Sequence, residues 1–166
     1  MNRSWRGRPV AAGALIALAL GAGLVAVSTV AAGVDRAALI AAAMKARTVE
    51  ASASRAHSES MLTAAFTGKA LEIERAAIAH YRDLEASGSV LPGEIAITNV
   101  TLLDSYGSAD SQTLDIRWHE RLANVLNGTV KDYSESNLIW HYVLLREGGT
   151  WKVADMAPQF VPGQGP

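Results

Sequence analysis

The sequence predicts an α+β fold in which helices pack on one face of a curved, four-stranded antiparallel sheet. Residues 35–88 place apolar side chains at helical spacing, whereas residues 94–156 contain apolar runs with the alternation typical of strands. Turns of only a few residues connect these runs, and short connections make neighbouring strands antiparallel. One face of such a sheet must be covered, and the preceding helices are the available cover.

The helical part begins at Asp35, a residue type that caps helix N-termini. An Ala-rich helix follows and is expected to fray near residues 52–60. A short helix, a break at Thr67-Gly68 and a longer helix come next, and Gly88 is a typical C-terminal stop. The longer helix carries one apolar stripe: Leu71, Ala77, Ile78, Tyr81 and Leu84. We expect this stripe to contact the core, and the charged residues, Glu74 among them, to fall mostly elsewhere.

The strand part is divided by three turn signals. The alternation of the first strand slips by one residue near Asn99, which indicates a β-bulge. Asn127-Gly128 and Gly148-Gly149 predict tight turns around the third strand, and the closing strand is expected to end at Met156. In the second strand, one face is apolar: Leu114, Ile116, Trp118 and Leu122.

The composition excludes several classes of function. The net charge of -1 and pI near 6.4 give no electrostatic reason to expect a nucleic-acid partner. The absence of Cys excludes disulfides, thiolate metal sites and Cys nucleophiles. The four His residues are scattered without a metal-binding spacing. We therefore expect neither a metal nor a cofactor.

An uncharged apolar stretch, residues 10–34, follows the basic residues Arg3, Arg6 and Arg8. As a helix it would rise about 37 Å, enough to cross a hydrocarbon core of about 30 Å. It is therefore predicted to anchor the chain in a membrane. The alternative is a signal peptide cleaved after Ala32, which would release the same domain as a secreted protein.

The charge distribution around this stretch predicts the topology of the whole chain. Because the positive charges precede the span, residues 1–9 are expected in the cytoplasm and residues 35–157 outside it, as the extracytoplasmic α+β domain. Residues 158–166 are predicted to form a disordered tail.

Several short motifs resemble the nuclear transport factor 2-like superfamily, and among its members most closely the intermembrane-space (IMS) domain of plastid division proteins and its bacterial relatives. The matching features are a Thr67-Gly68-x-x-Leu71 step, a Glu late in the second strand, a Tyr opening the third strand, Tyr-x-Leu-x-Arg at its end, and a final Trp-Lys-Val-x-Asp. In this sequence the last four features are Glu120, Tyr133, Tyr142-x-Leu144-x-Arg146 and Trp151-Lys152-Val153-x-Asp155. The resemblance implies a cone-shaped fold that binds a partner protein rather than catalysing a reaction.

The candidate binding residues are Trp118, Glu120, Tyr133, Trp140, Tyr142 and Trp151. The aromatic side chains are expected either to fill the core or to line a groove for a partner. Glu120 shares the apolar face of its strand, where burial would raise its pKa and make it a candidate base. The alternative places Glu120 at an open rim, solvated or paired with an Arg or Tyr. Two functions follow: a non-catalytic interaction domain that docks a partner or self-associates, or an exported small-ligand-binding or enzymatic cone fold that uses Glu120.

Overall fold

The computed structural model describes residues 34–160. In this part of the chain, helices precede a sheet with the strand order β1-β2-β3-β4, in which all neighbours are antiparallel. The elements are α1 (Arg36–Ala56), a 3-10 helix (Glu59–Ala64), α2 (Gly68–Ala86), β1 (Leu91–Gly107), β2 (Ser111–Leu126), β3 (Thr129–Glu147) and β4 (Thr150–Phe160). The predicted packing of helices on a four-stranded antiparallel sheet is confirmed.

The first helix begins as predicted, because the carboxylate of Asp35 accepts a hydrogen bond from the backbone N–H of Ala37 at 2.8 Å. The prediction that it frays near residues 52–60 is wrong for most of that range: α1 continues to Ala56. Its last turns are held by packing, since Ala53 and Ser54 are buried. The helix ends where His57 adopts a left-handed φ of 47°.

The irregular backbone of the sheet lies mostly where the sequence predicts it. Asn99 has a φ of 54° and lies within a register shift of β1, which confirms the bulge. Both residues of the turns at Asn127-Gly128 and Gly148-Gly149 have positive φ, as primed hairpin turns require.

The last strand is longer than predicted. β4 pairs with β3 up to Phe160, which lies opposite Leu138, so a tail that begins at residue 158 is wrong. Pro158 is compatible with this pairing because β4 is an edge strand. On the open side of an edge strand, a missing backbone N–H removes no hydrogen bond between strands. Residues 161–166 lie outside the described part of the chain.

The core lies between the inner face of the sheet and the helices. The sheet contributes large buried side chains of β2 and β3, and α1 contributes Leu39, Ala43 and Ala46. The segment before α2 is tied to β4, because Thr67 N–H donates to the carbonyl of Val153 at 2.8 Å. No helix among residues 34–160 is long and apolar enough to cross a bilayer. The predicted membrane helix, residues 10–34, and the basic N-terminus fall almost entirely outside the described residues.

Candidate functional site

Glu120 lies on the inner face of the sheet, and the residue is 5% exposed. Its Oε1 accepts hydrogen bonds from Trp118 Nε1 at 2.6 Å, Trp140 Nε1 at 3.1 Å and Arg47 Nε at 3.1 Å. Its Oε2 accepts from Arg47 Nη2 at 3.1 Å. The solvated position at an open rim is therefore wrong for Glu120, because two indole rings and a guanidinium cover it. The other form of that alternative, pairing with an Arg, is observed with Arg47.

Arg47 lies on the face of α1 that packs against the sheet. Its guanidinium stacks 4.6 Å from the ring centroid of Trp140 and forms ion pairs with Glu120 and Glu50. Burial opposes its charged form, but the charges of Glu50 and Glu120 outweigh that effect and raise the pKa of Arg47. Arg47 is therefore a fixed positive charge inside the domain.

Two further carboxylates complete a charged cluster, which we define as Arg47, Glu50, Glu74 and Glu120. Burial raises the pKa of Glu50, while Arg47 opposes the rise. Burial, followed by the charge of Glu50, raises the pKa of Glu74 to about 7. Glu74 is 5% exposed, and its carboxylate makes no hydrogen bond or ion pair with any side chain among residues 34–160. The cluster therefore contains one carboxylate without a fixed partner in the described part of the chain.

Two tyrosines lie against this cluster. The hydroxyl of Tyr142 is enclosed and has no hydrogen-bond partner among the described residues. Burial raises the pKa of Tyr142 well above its ordinary value, and Arg47, Glu50, Glu120 and Glu74 all act on it electrostatically. Burial and then Glu50 raise the pKa of Tyr81 as well.

A cavity of about 150 Å³, which we call the acid cavity, opens beside the charged cluster. It lies between α1, α2 and the β1–β2 pair. Its polar wall consists of Arg47, Glu50, Ser54 and Tyr81, and its apolar wall of Ala51, Pro92, Ile95 and Leu122. Among residues 34–160, no group of three or more His, Cys, Asp or Glu side chains is arranged to hold a metal ion.

Comparisons with known proteins identify the fold. No family model and no curated protein matches this sequence. Among solved structures, the intermembrane-space region of the chloroplast protein ARC6 matches with a TM-score of 0.63 at 14% identity, over 77% of this chain and 98% of that chain. This chain has the fold of the ARC6 intermembrane-space region.

Two other solved structures are similar to this chain. A periplasmic fragment of TraM matches with a TM-score of 0.51 at 13% identity, over 76% of this chain and 98% of that one. An NTF-2-like protein of unknown function from Shewanella oneidensis matches with a TM-score of 0.40 at 12% identity, over 72% of this chain and 97% of that one. The ARC6 match confirms, at the level of the fold, the resemblance to the IMS domain that the short motifs predict.

The ARC6-like fold brings four of the six candidate residues together. The rings of Trp118, Trp140 and Tyr142 lie with centroids between 5.7 and 6.5 Å apart, and two of them donate to Glu120. These four side chains are buried.

The other two candidate residues lie apart from the charged cluster. Tyr133 is 52% exposed on β3, with the guanidinium of Arg121 3.8 Å from its ring centroid. Trp151 lines a second cavity of about 320 Å³, which we call the alanine groove. The groove consists of Ala38, Ala41, Ala42, Lys45, Gly149, Thr150 and Trp151.

Sequence reasoning missed Arg47, Glu50, Glu74 and Tyr81 as members of a site. The expectation that Glu74 falls outside the apolar stripe of α2 is wrong. Glu74 lies three residues after Leu71 and four before Ile78, so it occupies the buried face. That spacing was the available signal: a carboxylate on an otherwise apolar stripe.

Proposed function

We propose that this chain is a membrane-anchored, extracytoplasmic interaction domain, which docks a partner protein or self-associates and catalyses no reaction. The observation that best supports this proposal is the hydrogen bonding of the Glu120 carboxylate. Its two oxygens accept four hydrogen bonds from Arg47, Trp118 and Trp140, three at Oε1 and one at Oε2. Glu120 is therefore held by side chains of its own domain and is 5% exposed, so a substrate would have to displace a buried ion pair to reach it.

The compartments of the structural neighbours support the proposed location. One neighbour is an intermembrane-space region and the other is a periplasmic fragment, and both compartments lie outside the cytoplasm. This fits a chain whose residues 1–9 remain in the cytoplasm, whose residues 10–34 cross the membrane, and whose domain lies beyond it.

The alanine groove is the surface that we assign to the partner. It combines a half-exposed Trp151 with small side chains of α1, and indole rings are common anchors of protein interfaces. The groove lies along the first turns of α1, next to the end of the predicted anchor. A neighbour in the same membrane could therefore reach it.

Co-purification tests the proposed function. The full chain, tagged and extracted from membranes with detergent, is expected to recover a stoichiometric partner or a second copy of itself. Trp151→Ala should reduce the recovery about tenfold, because a central Trp carries a large share of interface energy. Tyr106→Ala is the matched control, because it removes an exposed aromatic of β1, which is the edge strand opposite β4. A monomer that carries a bound small molecule would contradict the proposal.

A second function, an exported small-ligand-binding or enzymatic domain, is favoured by one observation. Glu74 is a buried carboxylate with a pKa near 7, which is the range of a general base. This function shifts the reacting group from Glu120 to Glu74. It predicts that a small molecule, and no protein, remains with the purified chain.

A further inference from the structure

The alanine groove carries positive charge without negative charge. Lys45 is the last of its lining residues on α1, and its lining in the described part of the chain includes no Asp or Glu. Beside the groove, the guanidinium of Arg146 lies 6.0 Å from the ring centroid of Trp151. Both cations are exposed. An occupant of the groove would therefore meet two positive side chains next to an apolar surface.

Neither of these two cations is paired with a carboxylate within residues 34–160. The Lys and Arg side chains that form ion pairs there are Arg47, Arg55, Lys69, Arg121 and Lys152. The two carboxylates nearest to Trp151 in the sequence already have partners: Glu147 binds Lys152 at 3.2 Å, and Asp155 binds Lys69 at 2.9 Å. The positive charge beside the groove is therefore complementary to a carboxylate of the occupant.

This charge pattern disfavours a second copy of the chain as the occupant. Two chains anchored in one membrane are related most simply by a two-fold axis along the membrane normal, and such an axis keeps equal residues at equal height. Lys45 of one copy would then lie level with Lys45 of the other, and the same holds for Arg146. Like charges brought together at an interface oppose association. The charge pattern therefore favours a different protein.

The remainder of the groove suits an apolar side chain. Ala38, Ala41 and Ala42 contribute only methyl groups, and Trp151 of β4 contributes an aromatic ring to the same cavity of about 320 Å³. Lys45 lies four residues beyond Ala41, which is about 6 Å of helix rise. A carboxylate that pairs with Lys45 must therefore lie roughly 6 Å from an apolar side chain seated on the alanines, and residues i and i+2 of an extended segment have this spacing.

The charge pattern also favours an acidic side chain over the carboxylate of a chain terminus. Chain termini are captured by sets of free backbone N–H groups. Ala41, Ala42 and Lys45 lie in the interior of α1, where backbone N–H groups bond within the helix. The positive charge that meets the occupant is thus carried by side chains, as in ordinary ion pairs between proteins.

We infer that the alanine groove binds a segment of a different protein in which an aliphatic residue is followed, two positions later, by an acidic residue. This inference rests on the proposed function, and it selects a different protein over a second copy. The aliphatic side chain lies on the alanines of α1 against Trp151, and the carboxylate pairs with Lys45. Arg146 adds a second positive charge beside Trp151.

Capped tripeptides test the inference. Acetyl-Leu-Ala-Glu-amide is titrated into the full chain in detergent, and NMR follows the indole N–H of Trp151 and the backbone amide of Gly149. Saturable shifts are expected with this peptide, and binding about threefold weaker with acetyl-Leu-Ala-Gln-amide, which lacks the charge. Equal affinities, or no shifts with either peptide, would overturn the inference. Tighter binding of acetyl-Leu-Ala-Gln with a free terminal carboxylate would also overturn it, in favour of a chain terminus.

Charge reversal in the groove adds a second readout. Lys45→Glu should weaken binding of the Glu peptide about fivefold and should make the chain prefer acetyl-Leu-Ala-Lys-amide instead. Lys131→Glu is the matched control, because Lys131 is also an exposed lysine but lies next to the turn between β2 and β3, at the other end of β3 from Gly149. It should leave the preference for the Glu peptide unchanged. If the preference survives in Lys45→Glu, or if both variants behave alike, the inference is contradicted.

Co-purification separates this inference from the proposed function. If the unmodified chain recovers a different protein and Lys45→Glu recovers as much of it, the acidic assignment fails and the proposed function stands. The same holds if the chain recovers only a second copy of itself. If no protein is recovered although the Glu peptide binds as expected, the proposed function fails.

Discussion

Arg47 and Glu120 are 73 positions apart in the sequence, yet their side chains form a two-point contact with both N–O distances at 3.1 Å. The two side chains are 11% and 6% exposed, so the contact is shielded from water. It joins α1 to β2 across the middle of the domain. Removal of one member leaves the opposite charge buried, which typically costs several kcal/mol.

Substitution of Glu120 should therefore destabilise the domain strongly. We expect Glu120→Gln to lower the free energy of unfolding by about 3 kcal/mol, because Arg47 keeps its charge and loses its main partner. Urea unfolding of the full chain in detergent, followed by Trp fluorescence, measures this change. Glu135→Gln, at an exposed pair with Arg121, should change it by about 0.5 kcal/mol or less. Similar losses in both variants would show that burial of the contact has no energetic consequence.

The stability of the domain should fall as the pH rises from about 4.5 to about 7. In this window the folded chain keeps the proton of Glu74, whose pKa is raised to about 7, whereas the unfolded chain releases it near the ordinary value of 4.5. Unfolding thus releases a proton, and a rising pH favours unfolding. The loss is expected to be about 1–3 kcal/mol after allowance for screening.

Glu74→Gln should reduce this pH dependence, leaving the part due to Glu50, whose pKa is also raised by burial. The variant should be more stable than the unmodified chain at pH 8. Thermal unfolding at several pH values measures the effect, with Glu72→Gln as the exposed control. Asp155 affects the stability of the domain in a different pH range. The hydrogen bond from Lys69 lowers its pKa, so its contribution is lost only as the pH falls below its ordinary value of 3.8. An unchanged pH profile in Glu74→Gln would contradict the prediction.

Gly107 is required by space as well as by backbone conformation. It has a φ of 147°, and an added Cβ would lie 2.1 Å from the carbonyl oxygen of Ser111. Gly107→Ala should lower the free energy of unfolding by about 3 kcal/mol, because backbone atoms must move. Gly88→Ala is the matched comparison. Gly88 also has a positive φ, 77°, but a Cβ added there would meet no atom within 4 Å. It should cost about 1 kcal/mol from strain alone, and urea unfolding of both variants should preserve this order.

The chain contains no Cys, so single cysteines report its topology directly. Ala79→Cys, on the exposed side of α2, should react with a membrane-impermeant maleimide in intact cells. Ser4→Cys should react only after lysis if residues 1–9 are cytoplasmic. The reverse pattern would contradict the predicted topology. A mature mass that lacks the first thirty or so residues would instead support cleavage at Ala32.

Local sequence patterns were sufficient to predict most of the fold. The Asn127-Gly128 and Gly148-Gly149 turns, the bulge at Asn99 and the start of α1 at Asp35 each depend on a few adjacent residues. The predicted end of β4 was wrong, because pairing with β3 extends the strand beyond its apolar run. Strand ends of this kind are decided by the partner strand and carry weak local signals.

The candidate site was only partly predictable. The alternation of β2 placed Glu120 on the same face as Trp118, which the structure confirms. The alternation of β2 contained no information about the approach of Arg47 from α1. Helical spacing shows which residues share a face of α1, but it does not show which strand that face packs against. The burial of Glu74 could have been predicted from its helical spacing relative to Leu71 and Ile78 on α2.

The sequence by itself determined the order of the elements, their inner and outer faces, and the positions of the turns, because these depend on short-range backbone preferences and on alternation of apolar residues. Only the tertiary structure decided that Arg47, Glu50, Glu74 and Glu120 share one buried cluster beside a small cavity. The physical reason is that the approach of a helix to a sheet is set by the packing of many side chains at once. The charge that Glu120 carries is compensated by a residue that no local pattern connects to it.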